Sequence, residues 1–130
     1  MAIRRFEDIY GWKLAKEIAV EIYKAFRGNN DYAFTNQICR AAVSISNNIA
    51  EGFDRGTNKE FIRFLNIARS SNNELKSMLY LAEELTYINS DIAQKLRELC
   101  KKESIVFLRL IQSMNKQKKL QQQDKTPLVH

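Results

Sequence analysis

The chain runs for 126 residues from Met1 before it reaches its only proline, Pro127. Proline and glycine interrupt regular structure, the first through its missing N–H and the second through its backbone entropy. The 130 residues contain four glycines, where average usage would give roughly nine. A β-sandwich or barrel needs turns rich in these residues about every 8 to 12 positions. A disordered chain lacks apolar residues, which make up 45% here. We therefore expect an all-α protein.

Apolar residues at intervals of three or four predict four helices joined by short loops. Such a series is typical of an antiparallel up-and-down four-helix bundle, which we expect to occupy residues 1–120 as one domain. Residues 121–130 show no period and are predicted to be a disordered tail. Thr35, Thr57 and Ser90 are the predicted N-caps of the second, third and fourth helices. The predicted helix spans are 8–27, 36–51, 59–86 and 91–120.

The third predicted helix carries two apolar stripes, although packing into one core needs only one. In the fourth helix, residues 105–111 are apolar almost all the way round. Unless loops or helix splay cover it, this extra apolar surface would face water in a monomer, and a contiguous exposed apolar patch usually marks an interface. We therefore predict that the protein assembles as a homo-oligomer. The predicted interface residues are Phe64, Ile67, Met78, Leu81, Ile105, Phe107 and Leu108.

Side chains suited to catalysis are scarce. The only histidine is His130, so histidine-based acid–base catalysis and histidine-containing metal sites have almost no support. Cys39 and Cys100 lie inside apolar patterns without a second ligand at metal spacing, and we expect them to be buried free thiols. We predict no enzyme, no cofactor and no metal site. The sequence also lacks a signal-like or membrane-spanning apolar stretch, so we expect a cytoplasmic protein that does not enter membranes.

Polar residues interrupt the apolar stripes of the second and third predicted helices. On the second helix they recur at steps of four and three, and on the third they occupy the middle. Two such lines that face each other would form mutual hydrogen bonds and fix the helix register, so a structural network is the main interpretation. A functional pocket is the alternative. The predicted network consists of Ser44, Asn48, Glu51, Ser71, Asn72 and Glu74.

The net charge is +6, and basic residues gather near the connection between the second and third helices. Arginine pairs with phosphate through its planar fork, and the start of the third helix adds free N–H groups and a positive dipole end. Internal ion pairs with Glu51, Asp54 and Glu60 are the alternative. Aromatic residues recur at helical spacing, so we expect them in the core rather than as stacking platforms for bases. The predicted nucleic-acid-binding residues are Arg40, Arg55, Lys59, Arg63 and Arg69.

Three short stretches of sequence carry a family resemblance. Arg40-Ala-Ala is followed by Asn48-Ile-Ala-Glu-Gly52, and Lys59-Glu-Phe-Ile-Arg-Phe-Leu65 comes soon after. In these stretches the chain resembles the 23S rRNA-intervening sequence protein family, which consists of four-helix-bundle proteins encoded within bacterial large-subunit ribosomal RNA genes. The resemblance covers about residues 5–115. It implies a non-enzymatic up-and-down bundle that assembles as a ring, typically a homopentamer.

The chain is also similar to the accessory variability proteins of diversity-generating retroelements, which are pentamers with a basic surface that binds nucleic acid and a reverse transcriptase. It departs from the family pattern at Ser46, where proline is frequent, and at Thr86, where glycine often precedes the tyrosine. Residues and resemblance together predict a non-catalytic homo-oligomer that binds nucleic acid, with RNA favoured by the resemblance. The alternative is an interaction module or scaffold that docks a protein such as a polymerase or a ribosome-associated factor.

Overall fold

The computed structural model describes residues 3–125, with side chains as far as Gln117. A short 3-10 turn at Phe6–Asp8 leads into four helices. The described residues contain no strand, so the all-α prediction is confirmed. The helices are α1 (Tyr10–Ala25), α2 (Tyr32–Asp54), α3 (Asn58–Glu84) and α4 (Ser90–Lys125).

Hydrogen bonds between helices show how the helices are arranged. Ser44 Oγ of α2 lies 2.9 Å from Ser71 Oγ of α3, while Gln37, earlier in α2, donates to Glu74, later in α3. These two helices are therefore antiparallel, and bonds between α3 and α4 follow the same sense. Each helix contacts two others, in the cycle α1, α2, α3, α4 and back to α1. The described residues thus form an antiparallel bundle with a single core.

The core is built from the stripes of apolar residues that the helical period predicts. Aliphatic side chains dominate it, and all four helices contribute. The large apolar side chains that are fully buried are Ile18, Ile22, Ile38, Ile45, Ile49, Leu65, Leu75, Leu79 and Phe107.

The helix starts agree with the predicted N-caps at one position and differ at two. Thr57 caps α3 as predicted, because its Oγ1 accepts a hydrogen bond from the Glu60 N–H at 3.2 Å. Thr35 is not a cap, because α2 begins about one turn earlier, at Tyr32, and is capped by Asp31, whose carboxylate accepts a hydrogen bond from the Phe34 N–H. Aspartate is a better cap than threonine, which explains the earlier start. Similarly, Asn89 rather than Ser90 caps α4, by accepting from the Ile92 N–H at 2.8 Å.

Residues in the left-handed region end three helices. Gly28 (φ +83°) and Gly56 (φ +84°) follow α1 and α2, where glycine adopts positive φ without steric cost. After α3 this position is held by Thr86, with φ +57°. The Tyr87 N–H donates to the Ala82 carbonyl and the Thr86 N–H to the Glu83 carbonyl, which is the hydrogen-bond pattern of a Schellman motif. A β-branched residue therefore occupies a position that favours glycine.

Helix α4 continues to Lys125, five residues beyond the predicted end of the bundle. The first half of the predicted tail is thus helical. Its physical basis is the run of glutamines at 121–123, because glutamine is a good helix former. Residues 126–130, the rest of the predicted tail, lie outside the described residues.

The predicted interface residues divide into buried and exposed groups. Phe107 is fully buried in the core, and Phe64 and Met78 are only 6% and 5% exposed. The prediction that these three residues form an oligomer interface is wrong, because side chains covered by their own chain cannot provide an apolar contact surface for a second copy. They are buried because the bundle covers more of α3 and α4 than one narrow stripe. The exposed members are Ile67, Leu81, Ile105 and Leu108.

Candidate nucleic-acid interface

The turn between α2 and α3 is organised around the ring of Phe64. A Cβ at position 52 would lie 2.5 Å from the Phe64 Cβ, so the missing side chain of Gly52 is what lets the two helices approach. The guanidinium groups of Arg55 and Arg63 lie 5.0 and 4.6 Å from the ring centroid. Cation–π attraction thus holds both arginines beside the turn, with the ring nearly covered.

The same arginines are paired with carboxylates. Arg55 binds Glu51 at 3.0 Å and Arg63 binds Glu60 at 2.7 Å. The hydrogen bond from Arg63, with the charges of Arg63, Arg55 and Lys59, lowers the pKa of Glu60. Internal ion pairs, the alternative interpretation of this segment, therefore form for two of its basic side chains.

The structure brings together three of the five predicted nucleic-acid-binding residues and separates two. Arg55 and Arg63 lie on the Phe64 ring, and Lys59, next to Glu60 in sequence, contributes with them to the positive charge that acts on Glu60. Arg69 lies six residues after Arg63, which places it about 9 Å farther along α3 and about 120° around it. Arg40 lines a groove beside the turn between α1 and α2. All five side chains are exposed, and among the described side chains no ion pair includes Arg40, Lys59 or Arg69.

The predicted polar network divides into separate groups. Ser44, Asn48 and Ser71 form one cluster between α2 and α3, in which the Asn48 amide donates to Ser44. Asn72 instead donates across to α4, to the Cys100 carbonyl and the Ser104 hydroxyl. The two predicted glutamates lie outside both groups, because Glu51 binds Arg55 and Glu74 accepts from Gln37 at the surface. The Ser44–Ser71 bond connects α2 to α3 and the bonds of Asn72 connect α3 to α4, so these two groups help to fix the register of neighbouring helices.

A buried carboxyl group was missed by the sequence interpretation. Glu103 is fully buried, and neither carboxyl oxygen has a hydrogen-bond partner. Burial raises its pKa to about 8. The group lies against α1, where a Cβ on Gly11 would be 3.1 Å from Glu103 Oε1. The available signal was helical spacing, since Cys100 and Phe107 lie three residues before and four residues after it on the buried face.

Both cysteines are buried and free. Burial raises the pKa of the Cys39 thiol, and it raises that of Cys100 to about 12. Among the described residues, no group of three histidine, cysteine, aspartate or glutamate side chains could hold a metal ion. None of the described helices is long and apolar enough to cross a membrane.

Positive charge is concentrated at one end of the bundle. We divide the molecule at the Ser44–Ser71 hydrogen bond between α2 and α3 and at the Asn72–Ser104 hydrogen bond between α3 and α4. The turn half, which contains the α2–α3 turn, comprises residues 3–17, 44–70 and 105–117 and holds ten basic and six acidic side chains. The opposite half, residues 18–43 and 71–104, holds eight of each. In the part of the chain with described side chains, the formal excess of four positive charges therefore lies in the turn half.

Four tyrosines contradict the expectation that the aromatic residues lie in the core. The side chains of Tyr10, Tyr23, Tyr32 and Tyr80 are between 51% and 73% exposed. Helical spacing alone was misleading, because tyrosine has a polar hydroxyl and is tolerated at the edge of an apolar stripe. Exposed rings are thus available at several places on the surface.

Comparisons with known proteins agree with this architecture. The family model described as 23S rRNA-intervening sequence protein matches residues 7–107. Among solved structures, the chain is similar to a protein of unknown function from the S23 ribosomal protein family of Bacteroides thetaiotaomicron VPI-5482. The two share 26% identity over 78% of this chain and 97% of that chain, with a TM-score of 0.73. No curated protein matches the chain. The similarity to diversity-generating retroelement proteins stays a prediction, whereas the family model covers most of the bundle. The chain therefore belongs to the 23S rRNA-intervening sequence protein family.

Proposed function

We propose that this protein is a non-catalytic, cytoplasmic homo-oligomer that binds RNA through the basic side chains of its turn half. The observation that carries the proposal is the unequal charge of the two halves, ten basic and six acidic side chains against eight of each. A surface with one sign of charge attracts a polyanion and raises its rate of association. The name of the family supports RNA rather than another polyanion. Buried free cysteines are compatible with a reducing compartment.

Binding through these side chains would be mainly electrostatic. Lys59 and Arg69 are exposed, and the described side chains include no acidic partner for either. Arg55 and Arg63 have partners, but exposed ion pairs contribute only about 0–1 kcal/mol, so a phosphate can replace the carboxylate. Contacts to phosphate carry little sequence information. We therefore expect steep salt dependence and weak sequence preference.

Self-association is supported by apolar side chains that the bundle leaves exposed. Ile67 and Leu81 of α3 and the next residue after the helix, its C-cap Leu85, are 40–52% exposed and lie within about 40° of one another around the helix axis. On α4, Ile105 and Leu108 are similarly exposed. Five copies, the number that the resemblance implies, would carry five times the charge of +6. Weak contacts from each copy would then gain avidity.

A charge-reversal pair tests the location of the interface. The test variant combines Lys59→Glu with Arg69→Glu in the turn half, and the control combines Lys95→Glu with Lys101→Glu in the opposite half. All four side chains are exposed, and each variant lowers the net charge by the same amount. Arg55 and Arg63 are left intact because they pack on Phe64. Circular dichroism would verify that both variants fold.

We expect the turn-half variant to bind RNA at least about tenfold more weakly at about 0.1 M salt, with a salt slope reduced by about 1–2. The control should stay within about threefold of the wild-type affinity, since the loss depends on contact rather than on total charge. Equal losses in the two variants, or no loss in either, would contradict an interface in the turn half.

A protein-docking module is the second candidate function. It is favoured by the exposed leucines Leu81 and Leu85, since apolar side chains contribute little to binding phosphates. Pull-downs from the native host, with and without nuclease, separate the two candidates. Partners that survive nuclease and are lost in a Leu81→Lys variant would support docking of a protein instead of RNA.

A further inference from the structure

A groove of about 560 Å³ opens between the end of α1 and the start of α2, in the opposite half of the bundle. Among the described residues, its lining includes two arginines and two tyrosines but no acidic side chain. Its volume falls within the range of about 300–1,000 Å³ that small-ligand sites occupy. The lining residues that matter here are Tyr23, Arg27, Tyr32, Thr35, Asn36 and Arg40.

The two tyrosines of the groove differ from the other exposed tyrosines. Tyr32 is 73% exposed and Tyr23 is 53% exposed. Tyr10 and Tyr80 lie beneath cationic side chains of α4, Lys102 and Arg97 respectively, at 5.7 and 4.2 Å from the ring centroids. Within the described part of the chain, neither groove tyrosine has such a cation or stacks on another ring. Their ring faces are therefore accessible to a ligand.

The charge of the groove suits an anion. Arg27 and Arg40 are exposed, and no ion pair among the described side chains includes them. The acidic residue closest in sequence, Asp31, is engaged elsewhere, since its carboxylate accepts hydrogen bonds from the Tyr87 hydroxyl and the Phe34 N–H. These bonds lower its pKa. The buried Oγ1 of Thr35 also lacks a hydrogen-bond partner.

We propose that this groove binds an unpaired nucleotide of single-stranded RNA. The base stacks on Tyr32 or Tyr23, and the adjoining phosphate pairs with Arg27 and Arg40. Aromatic rings combined with a basic groove bind single strands because every base presents a stacking face, whereas a duplex keeps its bases stacked internally. A second hollow of about 300 Å³ shares Tyr23 and Arg27 with the groove, is also lined by Lys24 and extends along α1 to Ala19, which provides space for the next nucleotide.

This inference rests on the proposed function and adds a second contact, at the end of the bundle away from the α2–α3 turn. The test measures fluorescence anisotropy of labelled oligoadenylate of about 12 nucleotides and of an RNA duplex of about 16 base pairs. The variants are Tyr32→Ala and Tyr32→Phe, with Tyr80→Ala as the matched exposed tyrosine outside the groove. Tyr32 is so exposed that the alanine variant should fold, and circular dichroism verifies this.

Loss of one base–tyrosine stack should weaken oligoadenylate binding roughly 5- to 150-fold in Tyr32→Ala. Tyr32→Phe keeps the ring and should bind like the wild type, as should Tyr80→Ala. Duplex affinity should not change in any variant. A second variant, Tyr23→Ala, completes the test. If neither Tyr32→Ala nor Tyr23→Ala changes oligoadenylate binding, the groove is not the nucleotide site, while the proposed function stays intact. Absence of binding to either RNA would overturn both.

Discussion

Glu103 shows how a single side chain can oppose the stability of the bundle. Among the described residues, only Glu103 and Asn72 are buried polar side chains, and Glu103 alone lacks any hydrogen bond. An ionised carboxylate without a partner is costly inside a protein, so the group stays protonated in the folded state up to about pH 8. Helical spacing places position 103 on the buried face. Its chemical type instead suggested a surface residue, because glutamate is rarely fully buried.

The first prediction concerns the pH dependence of stability. The folded-state pKa of Glu103 is raised, so the unfolded chain loses this proton first, from about pH 4.5. Between about pH 4.5 and 8 the folded protein holds more protons, and the free energy of unfolding should fall as pH rises, by at most about 1.4 kcal/mol per pH unit. Urea unfolding at several pH values measures this slope.

Glu103→Gln should flatten the slope in that window, because glutamine does not titrate. Glu98→Gln, at an exposed position of the same helix, is the control and should keep the wild-type slope. An unchanged slope in Glu103→Gln would show that the carboxyl group is ionised in the folded protein.

At the scale of elements, the sequence predicts features that depend on one local pattern, but not features for which two patterns compete. The number and type of the helices follow from the apolar period and the missing prolines, and Thr57 follows from its capping spacing. The starts of α2 and α4 differed because two suitable caps lie close together in sequence. Periodicity also identified the apolar faces without showing which neighbour covers them. Phe107 was therefore assigned to an interface although it fills the core.

The second prediction uses the end of α3. Thr86 holds φ at +57° in a Schellman motif, a conformation that costs a β-branched residue about 1–2 kcal/mol. Thr86→Gly should therefore raise the free energy of unfolding by about 1 kcal/mol. Thr86→Ala keeps a Cβ at the same φ and should gain much less. Thermal unfolding would measure both, and equal stabilities for the two variants would contradict backbone strain at this position.

For the whole molecule, the path of the chain determines what its charge can do. The net charge of +6 is visible in the sequence, but its concentration in one half depends on bringing together the start of α1, the α2–α3 turn and the end of α4. Two members of the predicted basic cluster, Arg55 and Arg63, lie on the same ring, that of Phe64. The sequence showed neither their ion pairs with Glu51 and Glu60 nor the position of Arg40 beside a groove at the other end.

The central claim is that copies of this bundle assemble and bind RNA by charge. Both assembly and RNA binding can be measured by light scattering on the protein as it elutes from a size-exclusion column at micromolar concentration. The measurement is made with and without RNA, at low and at high salt. We predict a particle whose mass is a multiple of 15.2 kDa, which gains the mass of RNA at low salt and loses it at high salt. A 15.2 kDa monomer whose mass does not change when RNA is added would contradict the claim.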